Sequence, residues 1–162
     1  MAIFKASIAD IDIVAPLIAA FRAELRRLKG EDIPLDLQSA LEEFAEYIDK
    51  KYPIFLHKEH SECLGYLVCR VEEPVVWVES LFVEAGARRQ GIASALYLAA
   101  EELAHSYREH TLYNYVHPNN DAMIAFLAKR GYDVLNLIEI RKKRPAETTT
   151  EKIAVRNNIF NY

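Results

Sequence analysis

The chain has 162 residues, of which 51% are hydrophobic and 27% charged, and this composition is typical of one folded domain. It excludes disordered, collagen-like and low-complexity proteins. Twenty Lys and Arg stand against 24 Asp and Glu, so the formal net charge is −4 and no nucleic acid or membrane surface is expected as a partner. No uncharged apolar run approaches the ~20 residues that span a bilayer.

The two cysteines, Cys63 and Cys69, lie in an apolar stretch and cannot complete a tetrahedral zinc site by themselves. On one strand their spacing places them roughly 20 Å apart, which is too far for a disulfide bond. Free thiols favour a reducing compartment, and the first residues lack a secretory signal pattern, so we expect a cytoplasmic protein. We expect no metal site, and four histidines are predicted to lie at the surface or in loops: His57, His60, His105 and His110.

The first third of the chain reads as a strand followed by two helices. Residues 3–8 are predicted as a short strand, and Asp10 is a candidate N-cap for the amphipathic helix that follows. Pro16 either kinks this helix or marks its true start. Gly30 can end it, and a second helix is predicted over residues 36–51.

The hydrophobic period then changes to that of strands. Residues 53–57, 63–71 and 75–83 are short apolar runs separated by polar turns, which predicts an antiparallel meander. An arginine-rich loop over residues 84–90 leads through Gly91 into another helix.

The remaining elements complete an α/β fold with a mixed sheet. They are predicted as a strand, a helix and a strand, over residues 111–116, 121–130 and 134–141. The tail, residues 144–162, begins as a loop and could end in a strand around residues 152–155. No linker or repeat precedes the tail, so we expect a single domain over residues 1–162 with the order β-α-α-β-β-β-α-β-α-β and one further strand.

The segment 81–94 carries the strongest chemical signal. A buried strand leads into a loop with two arginines, Arg88 and Arg89, and a glycine turn then opens a helix. The unpaired N–H groups and the positive dipole end of a helix start bind anions, and the small residues Gly91 and Ala93 let a phosphate approach the backbone. We therefore predict a ligand with a pyrophosphate group. The spacing fits neither a Walker loop nor a dinucleotide-binding turn.

The run Arg88-x-x-Gly91-x-Ala93 resembles the Arg/Gln-x-x-Gly-x-Gly/Ala signature of the GNAT family of N-acetyltransferases, which seats the pyrophosphate of acetyl-CoA. Val83, five residues before this signature, fits the family pattern as well. So does Asn120, which a glycine–aromatic pair follows eleven residues later.

The resemblance covers residues 77–140 at motif level, and the element order extends it to most of the chain. Members of the family bind acetyl-CoA in a V-shaped gap between two neighbouring parallel strands, which here would be strands 75–83 and 111–116. The implied activity is direct transfer of the acetyl group to a primary amine in a ternary complex. The acceptor would be a small molecule or a peptide, and many members form a homodimer.

The resemblance also implies which residues bind the cofactor. They follow the end of one strand and the start of the next helix, with two more in the later turn and helix: Leu81, Phe82, Val83, Arg88, Arg89, Gln90, Gly91, Ile92, Ala93, Ser94, Asn120 and Phe126. Backbone groups of the first three would hold the pantetheine amide and polarise the thioester carbonyl. The alternative is that the arginines are solvated loop residues and that Asn120 is only a helix cap.

The proton donor is where the chain departs from the family. Many members carry a tyrosine seven residues after the motif asparagine, close to the leaving sulfur, and Leu127 stands there in this chain. Either another group or solvent protonates the sulfur, or the activity is weak or absent. A non-catalytic or regulatory acyl-CoA-binding module is therefore the alternative function.

Strand alternation supplies candidate substitutes. Trp77, Glu79, Leu81 and Val83 are expected on one face of their strand, and Tyr113, Tyr115 and His117 on one face of the neighbouring strand. Glu79 is the only acid in its apolar run, and a carboxylate there needs a partner or a cleft. It is our candidate base or amine anchor, and a hydrogen-bonded structural role is the alternative. Tyr115, or else His117, is the candidate proton donor to the sulfur.

Overall fold

A computed structural model describes residues 2–162. They divide into two compact units, one ending at Ile124 and the other spanning Ala125–Tyr162. The elements of the first unit are, in chain order, β1 (Ile3–Lys5), α1 (Ile11–Arg27), α2 (Leu37–Asp49), β2 (Ile54–Glu59), β3 (Glu62–Glu72), β4 (Val75–Val83), α3 (Ile92–Ser106) and β5 (Tyr113–Asn114). Helix α4 (Asp121–Lys129) runs across the boundary, and β6 (Lys152–Val155) and β7 (Asn158–Asn161) belong to the second unit.

The first unit is built on a mixed five-stranded sheet in the order β1-β2-β3-β4-β5. Strands β1 to β4 pair antiparallel, which confirms the predicted meander, and β5 pairs parallel to β4. A parallel pair needs a crossover connection, and α3 supplies it. The mixed α/β fold predicted from the sequence is therefore confirmed.

The main core lies between one face of the sheet and helices α1 and α2. Its fully buried side chains include Val14, Ile18, Phe44, Tyr66 and Val68. The other face of the sheet carries α3, whose residues Leu96, Tyr97, Ala100 and Ala104 are buried. Removing this apolar surface from water is the main favourable contribution to folding.

Helices α1 and α2 differ in whether a side chain caps their first turn. Asp36 accepts a hydrogen bond from the Ser39 backbone N–H at 2.9 Å and so opens α2. Helix α1 begins at Ile11, which places Pro16 inside it, so this helix starts before its proline. The Asp10 carboxylate does not cap α1 because it accepts the backbone N–H of Ser7 at 2.8 Å.

Several further details differ from the sequence prediction. Residues 134–141 form no strand, and the side chain of Val134 is 85% exposed. Their apolar run predicts a strand, but a strand also needs a hydrogen-bonded neighbour, which this segment lacks in the part of the chain that is described. Strand β6 lies where expected and pairs with β7, which was not predicted. His57 is buried in β2, where the Ala2 carbonyl lies 3.3 Å from its Nδ1.

Candidate active site

Pairing between β4 and β5 stops after two residue pairs. Trp77 lies opposite Tyr113 and Val78 opposite Asn114, while β4 continues unpaired on this side as far as Val83. Beyond these pairs, the backbone N–H and C=O groups that point to this side of β4 therefore have no strand partner among residues 2–162. We call the space between the two strands beyond these pairs the strand gap, and it corresponds to the V-shaped opening expected from the sequence.

A β-bulge lies at the start of the strand gap. Ser80 faces Val68 and Val78 faces Cys69, so Glu79 is the extra residue of β4. Because the bulge shifts the alternation by one residue, side chains before and after it change faces. The expectation that Trp77, Glu79, Leu81 and Val83 share one face is therefore wrong.

The faces follow from the register. Trp77 lies opposite Arg70 and Leu81 lies opposite Leu67, and opposed residues share a face of the sheet. Arg70 and Leu67 are three residues apart on β3 and so lie on opposite faces. The Glu79 carboxylate is directed towards Arg70 on the face that carries α1 and α2, and it accepts a hydrogen bond from Arg70 Nε at 3.3 Å.

Glu79 also lines a cavity of about 380 Å³ between the sheet and α2. Its other lining residues are Arg22, Ser39, Glu42, Glu43, Glu46, Tyr47, Lys50 and Tyr52. Four carboxylates thus face two cations, and both cations are paired, Arg22 with Glu43 and Lys50 with Glu46. The cavity carries an excess of negative charge next to the bulge.

Two groups on the cavity wall are held in fixed protonation states. The hydrogen bond that Arg22 donates to the Glu43 carboxylate raises the pKa of Arg22 above its ordinary value. Burial, followed by the hydrogen bond to Glu43, raises the pKa of Tyr47 well above the usual range of tyrosine. Tyr47 therefore stays protonated at neutral pH and is no candidate base.

Tyr115, the candidate proton donor, stacks on Trp77. The ring centroids are 4.8 Å apart, the planes are inclined by 8°, and the Tyr115 side chain is 68% exposed. The guanidinium of Arg70 lies over the Trp77 ring, 5.3 Å from its centroid. Because Arg70 also binds Glu79, one arginine connects both candidate residues to the same aromatic ring. Sequence reasoning missed Arg70, although counting across the tight β3–β4 turn would have placed it opposite Trp77.

The loop after β4 ends in a helix start of the expected kind. Gly91 is the N-cap of α3 and has φ = +86°, a left-handed conformation that favours glycine. Ile92 is buried, and Ser94 is exposed at the first turn. The first N–H groups of a helix have no intrahelical partner, so the first turn of α3 can bind an anion by donating hydrogen bonds to it.

The two arginines of the loop differ in their surroundings. Both Nη atoms of Arg88 donate to the carboxylate of Glu24 on α1, at 3.0 and 2.6 Å, and Nε donates to the Val83 carbonyl at 3.0 Å. Arg89 is exposed, and its guanidinium forms no ion pair within residues 2–162. Of the two, Arg89 is therefore the side chain whose charge remains available, while Gln90 donates to the Gly86 carbonyl at 3.4 Å.

Gly65 on β3 brings α3 close to the sheet. A Cβ atom at this position would lie 3.0 Å from Ile92 Cγ2, 3.1 Å from the Phe82 carbonyl oxygen and 3.2 Å from Val83 Cγ2. All three distances are shorter than ordinary carbon contacts. Because Gly65 has no side chain, Ile92 at the start of α3 can lie close to the end of β4.

The remaining candidates lie on α4. Asn120 accepts a hydrogen bond from the Met123 backbone N–H at 3.2 Å and so caps the helix, as predicted. Phe126 is partly buried, with the Arg130 guanidinium 5.9 Å from its ring centroid, and Leu127 is buried. Asn120 belongs to the first unit, whereas Phe126 and Leu127 belong to the second.

Residues 2–162 contain no group of three or more His, Cys, Asp or Glu placed to hold a metal ion. Within the same residues, no helix has the length and apolar character that crossing a membrane requires.

The sequence profile of the acetyltransferase (GNAT) family matches residues 18–132. The chain belongs to this family. The match includes the meander, the loop with Arg88 and Gly91, and Asn120, which are the features that carry the resemblance in the sequence. A comparison with curated protein sequences found no match.

Several solved structures share the fold, among them two acetyltransferases and a protein named as a transcriptional regulator. The aminoglycoside antibiotic 6'-N-acetyltransferase AAC(6')-IG from Acinetobacter haemolyticus is 21% identical, with a TM-score of 0.66 over 89% of this chain and 99% of that one. AAC(6')-Iy in complex with the bisubstrate analogue CoA-S-monomethyl-acetylneamine is 16% identical, with a TM-score of 0.67 over 88% and 97% of the two chains. A transcriptional regulator from Bacillus halodurans C-125 is 18% identical, with a TM-score of 0.66 over 87% and 99%.

Proposed function

We propose that the protein transfers the acetyl group of acetyl-CoA to a primary amine. The observation that carries this proposal is the strand gap, which opens beside the bulge at Glu79 and leads to the helix start at Gly91. Unpaired backbone groups of β4 can bind an amide-bearing arm, and the first turn of α3 can bind a pyrophosphate. Membership in the GNAT family supports the same function.

The proposed reaction needs two proton transfers. The amine attacks the thioester carbonyl, so that a C–N bond forms and the C–S bond breaks. Glu79 takes the proton that the amine loses, directly or through water, since its carboxylate is 35% exposed in the acidic cavity. Tyr115 donates a proton to the leaving thiolate. The backbone N–H groups of Leu81 and Val83, which point away from β3, stabilise the negative charge that develops on the carbonyl oxygen.

The acidic cavity supports an acceptor with more than one positive charge. An amine bound there meets four carboxylates. Three of them, Glu43, Glu46 and Glu79, are paired with cations of the protein, whereas Glu42 forms no ion pair within residues 2–162. Two of the structures with the same fold are named as aminoglycoside acetyltransferases. We therefore propose a small polycationic amine as the acceptor, ahead of a peptide.

A panel of amines tests this proposal. Thiol release from acetyl-CoA is measured with aminoglycosides, polyamines, amino acids and amino-terminal peptides, and N-acetylation is confirmed by mass spectrometry. We expect release that depends on the amine and is fastest with polycationic acceptors. Release with amino acids or peptides alone would contradict the proposed acceptor class, and absence of any amine-dependent release would contradict the transferase itself.

Leu127 favours a second candidate function. A leucine cannot donate a proton at the position where many family members carry tyrosine, so the chain could be an acyl-CoA-binding module that regulates another process. Such a module would be stabilised against heat by acetyl-CoA and would show no turnover with any amine of the panel.

The segment 134–140 supports the expected homodimer. Five large apolar side chains there are exposed, namely Val134, Leu135, Leu137, Ile138 and Ile140. Monomeric proteins rarely expose a continuous apolar patch of more than a few hundred Å². We propose that a second copy of the chain covers this segment, and light scattering after gel filtration is expected to give twice the chain mass.

The buried free thiols of Cys63 and Cys69 support a cytoplasmic location.

A further inference from the structure

Arg88 is held by the protein rather than presented to an anion. A guanidinium has five N–H donors, and one from each of its three nitrogens contacts Glu24 or the Val83 carbonyl. The two Nη atoms, which together could bind a phosphate in bidentate fashion, donate instead to the Glu24 carboxylate. In addition, the guanidinium lies 5.3 Å from the ring centroid of Phe82 on β4. The signature arginine therefore connects the end of β4 to helix α1.

The same helix also reaches the other wall of the strand gap. Asn119, in the turn between β5 and α4, donates from its side-chain amide to the Leu28 carbonyl at 2.5 Å. Glu24 and Leu28 are four residues apart, so they lie on one face of the helical chain and about 6 Å apart along its axis. One short stretch of chain thus contacts the residues that follow both open strands.

These contacts replace the missing sheet hydrogen bonds. Pairing between β4 and β5 ends at Val78 and Asn114, so no ladder sets the distance between the two strands beyond that point. The Glu24–Arg88 pair fixes the end of β4, and the Leu28–Asn119 contact fixes the turn after β5. The width of the strand gap then depends on α1.

We propose that Glu24 is a positioning residue for acetyl-CoA, acting through Arg88 to hold the loop before α3 and the open end of β4 at the width that the cofactor needs. The inference rests on the proposed function. Both side chains are about 40% exposed, at 42% for Glu24 and 41% for Arg88, and ion pairs of that exposure contribute little to global stability. Loss of Glu24 is therefore expected to change the site while the fold persists.

The test is a double-mutant cycle of Glu24→Gln and Arg88→Lys. Glu24→Gln keeps the shape of the side chain and removes its charge. Arg88→Lys keeps the positive charge and removes the planar guanidinium that binds a carboxylate through two nitrogens. CoA affinity is measured by calorimetry, and KM for acetyl-CoA, KM for the amine and kcat are measured separately. Glu102→Gln, an exposed change of the same charge on the second half of α3, is the matched control.

We expect each single substitution to weaken CoA binding about tenfold and to raise KM for acetyl-CoA in proportion. The KM for the amine, kcat, the melting temperature and the Glu102→Gln control should stay close to those of the unsubstituted protein. The double variant should be no weaker than the weaker single variant, because both changes break the same contact. Unchanged affinity in Glu24→Gln, or effects of the two changes that multiply, would overturn the positioning role while the proposed function stands. If the unsubstituted protein does not bind CoA, the proposed function fails, and this inference fails with it.

Discussion

The rings of Trp77 and Tyr115 stack almost parallel with their centroids 4.8 Å apart, and Tyr115 lies one residue beyond the last residue of β5 that pairs with β4. This contact holds an exposed tyrosine at the narrow end of the strand gap. Arg70 lies over the same tryptophan and binds Glu79, so the stack, the arginine and the bulge form one connected group. A candidate base and a candidate acid are thus held near the point where the gap begins.

Replacement of Glu79 by Gln is expected to lower turnover by roughly 10²-fold while the affinity for acetyl-CoA stays unchanged. The amide keeps the size of the side chain but cannot accept the amine proton. Stopped-flow or steady-state thiol release gives the rate, and calorimetry gives the affinity. Glu42→Gln, on the same cavity wall, is the control, and an equal loss of turnover there would point to acceptor binding rather than proton transfer.

Replacement of Tyr115 by Phe keeps the stack on Trp77 and removes the hydroxyl, so turnover is expected to fall with cofactor binding retained. Leu127→Tyr should then add little activity, because the donor is already present. The opposite pattern, with Tyr115→Phe unaffected and Leu127→Tyr strongly activating, would show that Tyr115 is not the acid. Steady-state kinetics of both variants with one amine distinguishes the two outcomes.

Gly65→Ala is expected to destabilise the protein by ~1–3 kcal/mol and to weaken CoA binding. The new Cβ would lie 3.0 Å from Ile92 Cγ2, so either β3 or the start of α3 must shift. Thermal unfolding and calorimetry measure the two effects. Gly86→Ala is the control, because its Cβ would approach only the carboxylate end of the Glu84 side chain, at 3.1 Å. Equal CoA affinity in Gly65→Ala and the unsubstituted protein would contradict the positioning of α3 by Gly65.

Both thiols are expected to be unreactive in the folded protein at pH 8. Burial raises the pKa of Cys63 to about 11 and that of Cys69 to about 12, so neither forms a thiolate at that pH. Labelling with a thiol-specific disulfide reagent should detect no thiol in the native state and two after unfolding. One equivalent of rapid labelling in the native state would contradict the burial of one cysteine.

The same shifts give stability a pH dependence. The unfolded chain ionises its thiols near their ordinary pKa of 9.0, whereas the folded protein keeps them protonated to about pH 11. The free energy of unfolding should therefore be unaffected by these groups below pH 9 and should fall as pH rises from about 9 towards 11. A Cys63→Ala variant should show a smaller fall in chemical unfolding experiments over that range.

Local sequence patterns predicted the parts of the site that depend on neighbouring residues. The meander follows from alternating apolar runs, Gly91 from the turn that opens α3, and Asn120 from its place before a helix. The family resemblance added the strand gap. For the meander, Gly91 and Asn120, the signal lies in neighbouring residues, and the chemistry of the backbone is enough to interpret it.

The features that the sequence did not predict depend on strand register or on distant partners. The bulge at Glu79 arises because the nine residues of β4 lie opposite eight residues of β3, and composition does not reveal such a mismatch. Nothing in the sequence indicated that Arg88 pairs with Glu24, sixty-four residues away. His57 was predicted at the surface or in a loop, since nothing in its own segment shows that β1 and the Ala2 carbonyl cover it.

Calorimetric titration of CoA tests the central claim, that the strand gap and the start of α3 bind the cofactor, most directly. The unsubstituted protein is expected to bind CoA at a single site. Gly91→Gln, which forces a bulky residue into φ = +86°, and Arg88→Glu should each weaken binding at least tenfold, or by about 1.4 kcal/mol. Gly30→Gln, with similar strain at φ = +76° away from the loop, should bind as the unsubstituted protein does. Equal affinity in all four proteins, with the fold intact, would contradict the account.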